Sequence, residues 1–149
     1  MAYRLFDHPQ FEQMDCMTSF NPYYQFSTNT VSFATEYAAA LDVAMPTDGT
    51  ISIGQNVIHL GTSLLHCDDD VCFQICLRSS WGIKGLFVHP GIIDSDYMGP
   101  IKVIIFNTTG QEHHYKKGDR ICQLLPVFIR RDPYYVNRVQ RTGGFGSTT

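Results

Sequence analysis

A chain of 149 residues with 44% hydrophobic and 13% aromatic content suits one globular domain and excludes a disordered protein. A formal net charge of -3 and a pI near 6.0 exclude the basic footprint of direct nucleic-acid binding, and no Lys/Arg block points to a membrane surface. Any anionic ligand must therefore be held by local groups.

Residues 1–29 interleave Phe6, Phe11, Phe20, Tyr23, Tyr24 and Phe26 with polar residues at no clean period. Disordered segments are poor in aromatics, so an N-terminal extension packed on a neighbour is expected. The start Met-Ala-Tyr-Arg-Leu-Phe-Asp lacks the apolar core of a signal peptide, and no run is long enough for a transmembrane helix. With an odd set of cysteines (Cys16, Cys67, Cys72, Cys76 and Cys122), this predicts a reducing, intracellular setting, cytoplasmic or nuclear. The sequon Asn107-Thr108-Thr109 is then expected to stay unmodified.

A β core is expected over residues 30–139. The three alanines between Glu36 and Leu41 allow a turn, and Pro46-Thr47-Asp48-Gly49 and Asp68-Asp69-Asp70 are breakers. Val71, Phe73, Ile75 and Leu77 alternate with Cys72, Gln74 and Cys76, which predicts a strand with the two cysteines on one face. Further strands are predicted over residues 101–106 and 121–128, separated by a polar hairpin around Gly110 that carries solvated His113 and His114. Short strands at this spacing suit a sandwich or barrel. His66, Cys67, Cys72 and Cys76 do not have the spacing of a zinc knuckle or ribbon, so buried thiols are expected. No Gly-x4-Gly-Lys-[Ser/Thr] loop is present, which argues against a P-loop NTPase. The Gly-rich ending after Thr142 needs a binding partner to order it.

The stretch Gly91-Ile92-Ile93-Asp94-Ser95-Asp96-Tyr97-Met98-Gly99 reads as a hairpin that fixes a carboxylate and an aromatic ring. It resembles the third signature of the trimeric dUTPase family. Leu77-Arg78-Ser79-Ser80-Trp81 resembles the second, Lys117-Gly118-Asp119-Arg120-Ile121-Cys122-Gln123-Leu124 the fourth, and Arg141-Thr142-Gly143-Gly144-Phe145-Gly146-Ser147-Thr148 the fifth. Their order along the chain agrees, from about Thr30 to the end. The first signature, usually Ala-Gly-Tyr-Asp-Leu, is represented by Ala39-Ala40-Leu41-Asp42-Val43, which keeps the aspartate and little else.

The resemblance implies an all-β fold, a distorted jelly-roll barrel in a homotrimer with three shared sites and a C-terminal lid over residues 140–149. It implies hydrolysis of dUTP to dUMP and pyrophosphate, which limits uracil in DNA and supplies dUMP for dTTP synthesis. Asp94 would be the base that activates water, although an aspartate in such a turn commonly bonds its own backbone. Asp96, in the same turn, is expected to be structural. Tyr97 would lie against the deoxyribose and refuse a 2′-hydroxyl, where the alternative is a Tyr on a half-buried strand face. Backbone groups of Gly91, Ile92, Ile93 and the region of Lys102 would read uracil. Arg78, Ser79, Ser80 and Gln123 would hold phosphate oxygens. Asp42 would meet, through water only, a Mg2+ carried by the triphosphate. Phe145 would close over the uracil, with Gly146, Ser147 and Thr148 donating to phosphates. Arg141 lies four positions before Phe145 where the family usually has five, which predicts a tighter loop to the γ-phosphate.

Two alternatives follow from the same residues. A dCTP deaminase shares this fold and a similar signature, but uses a glutamate where this chain has Ile104. A dUTPase-derived interaction protein would keep the fold and lose the site, whereas Arg78, Asp94, Tyr97, Phe145 and Ser147 are all present.

Overall fold

The structure, a computed structural model, describes residues 21–136. Its strands are β1 (Tyr24–Phe26), β2 (Val31–Phe33), β3 (Leu41–Ala44), β4 (Gly49–Ile51), β5 (Gly54–His59) and β6 (Leu64–Cys67), then β7 (Val71–Leu77), β8 (Leu86–Val88), β9 (Gly91–Ile93), β10 (Lys102–Asn107), β11 (His113–Tyr115) and β12 (Arg120–Phe128). One helical turn, α1 (Ser79–Gly82), follows β7, and a 3-10 turn covers Pro133–Tyr135. No helix among the described residues is long and apolar enough to cross a membrane.

The largest sheet has the order β2-β3-β12-β7-β9, and a second has the order β5-β10-β8. Two-stranded pairs β1-β6 and β11-β4 complete the pairing. Strand β7 forms where period-2 alternation predicts it, with Val71, Phe73 and Ile75 buried on one face. Complete burial of a side chain such as Phe73 contributes roughly 1.5–3 kcal/mol. Strand β12 pairs with β7 from Cys122↔Leu77 to Phe128↔Val71, but with β3 only as far as Leu124↔Leu41. Beyond Leu124 one side of β12 is therefore open, and Pro126, which has no N–H to donate, is tolerated there.

Three of the N-terminal aromatics pack on their own chain. Tyr24 is buried with its ring edge-on to Phe73 at 4.9 Å, Phe26 meets Phe73 at 5.3 Å, and Tyr23 meets Phe128 at 5.7 Å. Strand pairing thus begins at Tyr24, ahead of Thr30, because aromatic edges satisfy the large face of Phe73. Phe6, Phe11 and Phe20 lie outside the described residues.

Two expected hairpins differ from what is found. The strands flanking the turn after Ile93 belong to different sheets, since β9 pairs with β7 whereas β10 pairs with β5 and β8. Likewise the segment after Gly110 forms β11, which pairs with β4 and not with β10. His113 and His114 are strand residues, bonded to the hydroxyls of Thr109 at 2.9 Å and Thr50 at 3.0 Å. In both places chain neighbours separate because each strand's apolar face is buried by a different layer.

Candidate functional site

Ile93, buried on β9, ends the strand and hands the chain to a turn in which the Tyr97 amide donates to the Asp94 carbonyl at 3.1 Å. Alternate side chains pin that turn from within: Ser95 and Tyr97 are both buried. The Tyr97 hydroxyl donates to the Pro100 carbonyl at 2.7 Å. Arg131, beyond the end of β12, donates to Ser95 Oγ at 2.9 Å and also to the Asp69 carbonyl. With Ser95 and Tyr97 turned inward, half-buried Asp94 borders a cavity of about 450 Å³ shared with Cys72, Asp69 and Arg131. Burial, and then the Asp94 carboxylate, push the Cys72 thiol up from its ordinary range.

A second site lies at the other end of β7. Arg78 follows the strand, its amide donating to the Ile121 carbonyl at 2.8 Å, and the chain then turns into α1. A groove of about 520 Å³ opens here, lined by Asp42, Arg78, Ser79, Gln123 and the alanines 38 to 40. Gln123 stands opposite Asp42 across β12 and β3, and its side-chain amide donates to the Leu77 carbonyl at 3.2 Å. Asp42 is 3% exposed; its Oδ1 lies 3.3 Å from Arg78 Nε and its Oδ2 lies 3.6 Å from Arg120 Nη1. That Oδ2 is buried without a hydrogen-bond donor.

The sequence-predicted residues therefore fall into two groups. Arg78, Ser79, Gln123 and Asp42 come together, with Ser80 exposed on α1. Asp94 and Tyr97 come together at the end of β9. Cys72 borders the first cavity and Cys76 the second, four residues apart on one face of β7, or about 13 Å along the strand. Gly91, Ile92 and Ile93 form β9, while Lys102 begins β10 opposite His59. Arg141, Phe145, Gly146, Ser147 and Thr148 lie outside the described residues. Sequence reasoning missed Arg120, Arg131 and Ser95, whose partners are set by tertiary packing; only the place of Arg120 in the same signature as Gln123 hinted at one of them. Among the described residues no cluster of three or more His, Cys, Asp or Glu side chains could hold a metal, and Cys67, Cys72, Cys76 and Cys122 are free thiols.

The dUTPase family model matches residues 27–149. A deoxyuridine 5'-triphosphate nucleotidohydrolase of Paramecium bursaria Chlorella virus 1 is 36% identical over 129 residues, covering 82% of this chain and 91% of its own. The protein of the same description from Rickettsia massiliae is 32% identical over 133 residues, covering 83% and 90%. Among solved structures, an EIAV dUTPase superimposes with a TM-score of 0.65 at 22% identity, covering 78% of this chain and 99% of that one. A dUTPase from phage phi11 of S. aureus, described with a structural Mg(II) ion, reaches 0.65 at 16% identity, covering 79% and 97%. The all-β, jelly-roll-like fold expected from the sequence is the fold found.

Proposed function

The chain belongs to the dUTPase family, and on that premise we propose that it hydrolyses dUTP to dUMP and pyrophosphate. The observation that carries this reading is the pairing, on that fold, of a carboxylate on a pinned turn with a groove holding Arg78 and Gln123. Asp94 takes the proton of a water that attacks the α-phosphorus, while Arg78, Ser79, Ser80 and Gln123 hold phosphate oxygens. The buried Tyr97 ring, tethered through Pro100, presents a fixed wall to the deoxyribose. Backbone groups of Gly91, Ile92, Ile93 and Lys102 read uracil, so that cytosine leaves buried donors and acceptors unpaired. Arg141 and the segment from Phe145 to Thr148 complete the site as a lid.

A base must stand within hydrogen-bond reach of the attacking water. Within one chain Asp94 and the groove border opposite ends of β7, at Cys72 and Cys76 about 13 Å apart along the strand, so the working site joins Asp94 of one subunit to the groove of another. Assembly of this kind needs an apolar surface, and the open face of β10 with its neighbours supplies Val57, Phe87 and Phe106, all exposed. We assign the family's homotrimer on these grounds. Asp42 would meet Mg2+ borne by the triphosphate through water only, because the two arginines beside it oppose a bare cation. Mg2+, when bound, neutralises charge along the triphosphate. The free thiols support a reducing compartment inside the cell. Turnover of dUTP in 18O-labelled water tests the mechanism: label in dUMP is expected, and label in pyrophosphate would contradict attack at the α-phosphorus.

A further inference from the structure

We infer that Arg120 is a second guanidinium of the polyphosphate groove, held there together with Arg78 by the buried carboxylate of Asp42. This rests on the dUTP reading above and extends it to a residue with no assigned role. Arg120 and Gln123 are three positions apart, so regular strand alternation would send them to opposite faces. The register of β12 against β3 breaks between Arg120 and Cys122: Arg120 stands opposite Ala44, Cys122 opposite Val43 and Gln123 opposite Asp42. This bulge returns Arg120 to the face shared by Asp42 and Gln123, the re-aiming that bulges beside functional sites produce. Its extra residue, Ile121, also receives the Arg78 amide at 2.8 Å, so one irregularity sets the positions of both arginines.

Charge and burial point the same way. Two guanidiniums face one carboxylate, leaving an excess positive charge in a chain whose formal net charge is -3. A purely structural pair would be expected to close a hydrogen bond on a carboxylate that is 3% exposed, yet Oδ2 has none and Arg120 Nη1 stays at 3.6 Å. Each guanidinium has five N–H donors, among the described residues each has Asp42 as its ion-pair partner, and the side chains of Arg78 and Arg120 are 37% and 42% exposed. The remaining donors are available to phosphate oxygens.

The test is calorimetric binding of inorganic pyrophosphate and of deoxyuridine to the full chain, with steady-state kinetics on dUTP, for Arg120→Gln, Arg120→Lys and Asp42→Asn. Arg120→Gln is expected to weaken pyrophosphate binding and raise the KM for dUTP by about 10- to 100-fold, the range of charged hydrogen bonds. Deoxyuridine binding should stay unchanged, Arg120→Lys should recover part of the loss, and Asp42→Asn should make a further change at Arg120 nearly silent. Unchanged pyrophosphate binding in Arg120→Gln, or equal losses for pyrophosphate and deoxyuridine, would overturn the inference. If dUTP is cleaved with an unaltered KM in Arg120→Gln, Arg120 has no such role and the dUTPase reading stands. If pyrophosphate binds through Arg120 in a protein that leaves dUTP intact, the inference stands and that reading falls.

Discussion

Asp94 and Asp96 occupy one turn, yet their surroundings differ. Inward-facing Ser95 and Tyr97 fix the backbone on either side; both carboxylates border the cavity, but Asp94 is half-buried there while Asp96 is exposed. Asp94→Asn keeps shape and removes the basic oxygen, and should lower kcat by roughly 10² to 10⁴ with little change in KM. Asp96→Asn should leave kcat near the parent value in the same assay. Equal effects at the two positions would mean that the turn, and not Asp94, is what matters. Cys122 offers a separate test at this scale. Burial pushes its thiol from 9.0 up to about 12, so the folded protein retains a proton that the unfolded chain has lost. Stability from this group is complete below pH 9 and falls as pH rises through about 12, at up to about 1.4 kcal/mol per pH unit. Burial also raises Tyr24 to about 12 and Cys67 to about 11, so they add to the same alkaline loss. Urea titrations of Cys122→Ala should therefore show a shallower decline above pH 9, and an identical slope would refute the assignment. The turn that carries Asp94 was legible because local chemistry sets it, whereas the placement of Arg120 was not, because a bulge sets it.

Element by element, the strands that sequence reveals are the long ones. β7, β10 and β12 run for six to nine residues, enough for alternation to stand out. β1, β4 and β11 have three residues each, too few to define a period, and they exist because a partner strand completes them. Both misread hairpins share one cause, since neighbouring strands in the chain are taken up by different layers, a choice made by packing and not by turn residues. The end of β10 gives the clearest element-scale prediction. Asn107 is 1% exposed, and its amide donates to the carbonyls of Ile51 at 3.2 Å and Gln111 at 2.8 Å. Its side chain is committed inside the fold and is closed to glycosylation, a reason that the sequon alone does not disclose. Asn107→Ala should cost about 1–3 kcal/mol by leaving two carbonyls unpartnered, measured as a lowered urea midpoint. A midpoint at the parent value would mean that water replaces the amide at no cost.

For the molecule as a whole, strand spacing conveyed an all-β fold, but not that the predicted site residues of one chain fall into two separate groups. No property of the sequence reports that Asp94 and Arg78 flank opposite ends of β7. The proposed sharing of the site between subunits makes a distinctive prediction for mixed assemblies. Asp94→Asn and Arg78→Ala should each be nearly inactive alone, yet refolding them together should restore activity to about a quarter of the sites, those pairing an intact Asp94 with an intact groove. No recovery in mixtures shown to exchange subunits would place base and groove in one chain. The family's activity, with the selectivity argued for its uracil and sugar contacts, is tested most directly by one measurement: pyrophosphate release by the purified protein with Mg2+ on dUTP, dCTP, UTP and dTTP in parallel. Release from dUTP alone is predicted. Release from none of them by a folded, assembled protein would contradict the enzymatic account and favour a protein that keeps the fold for interaction.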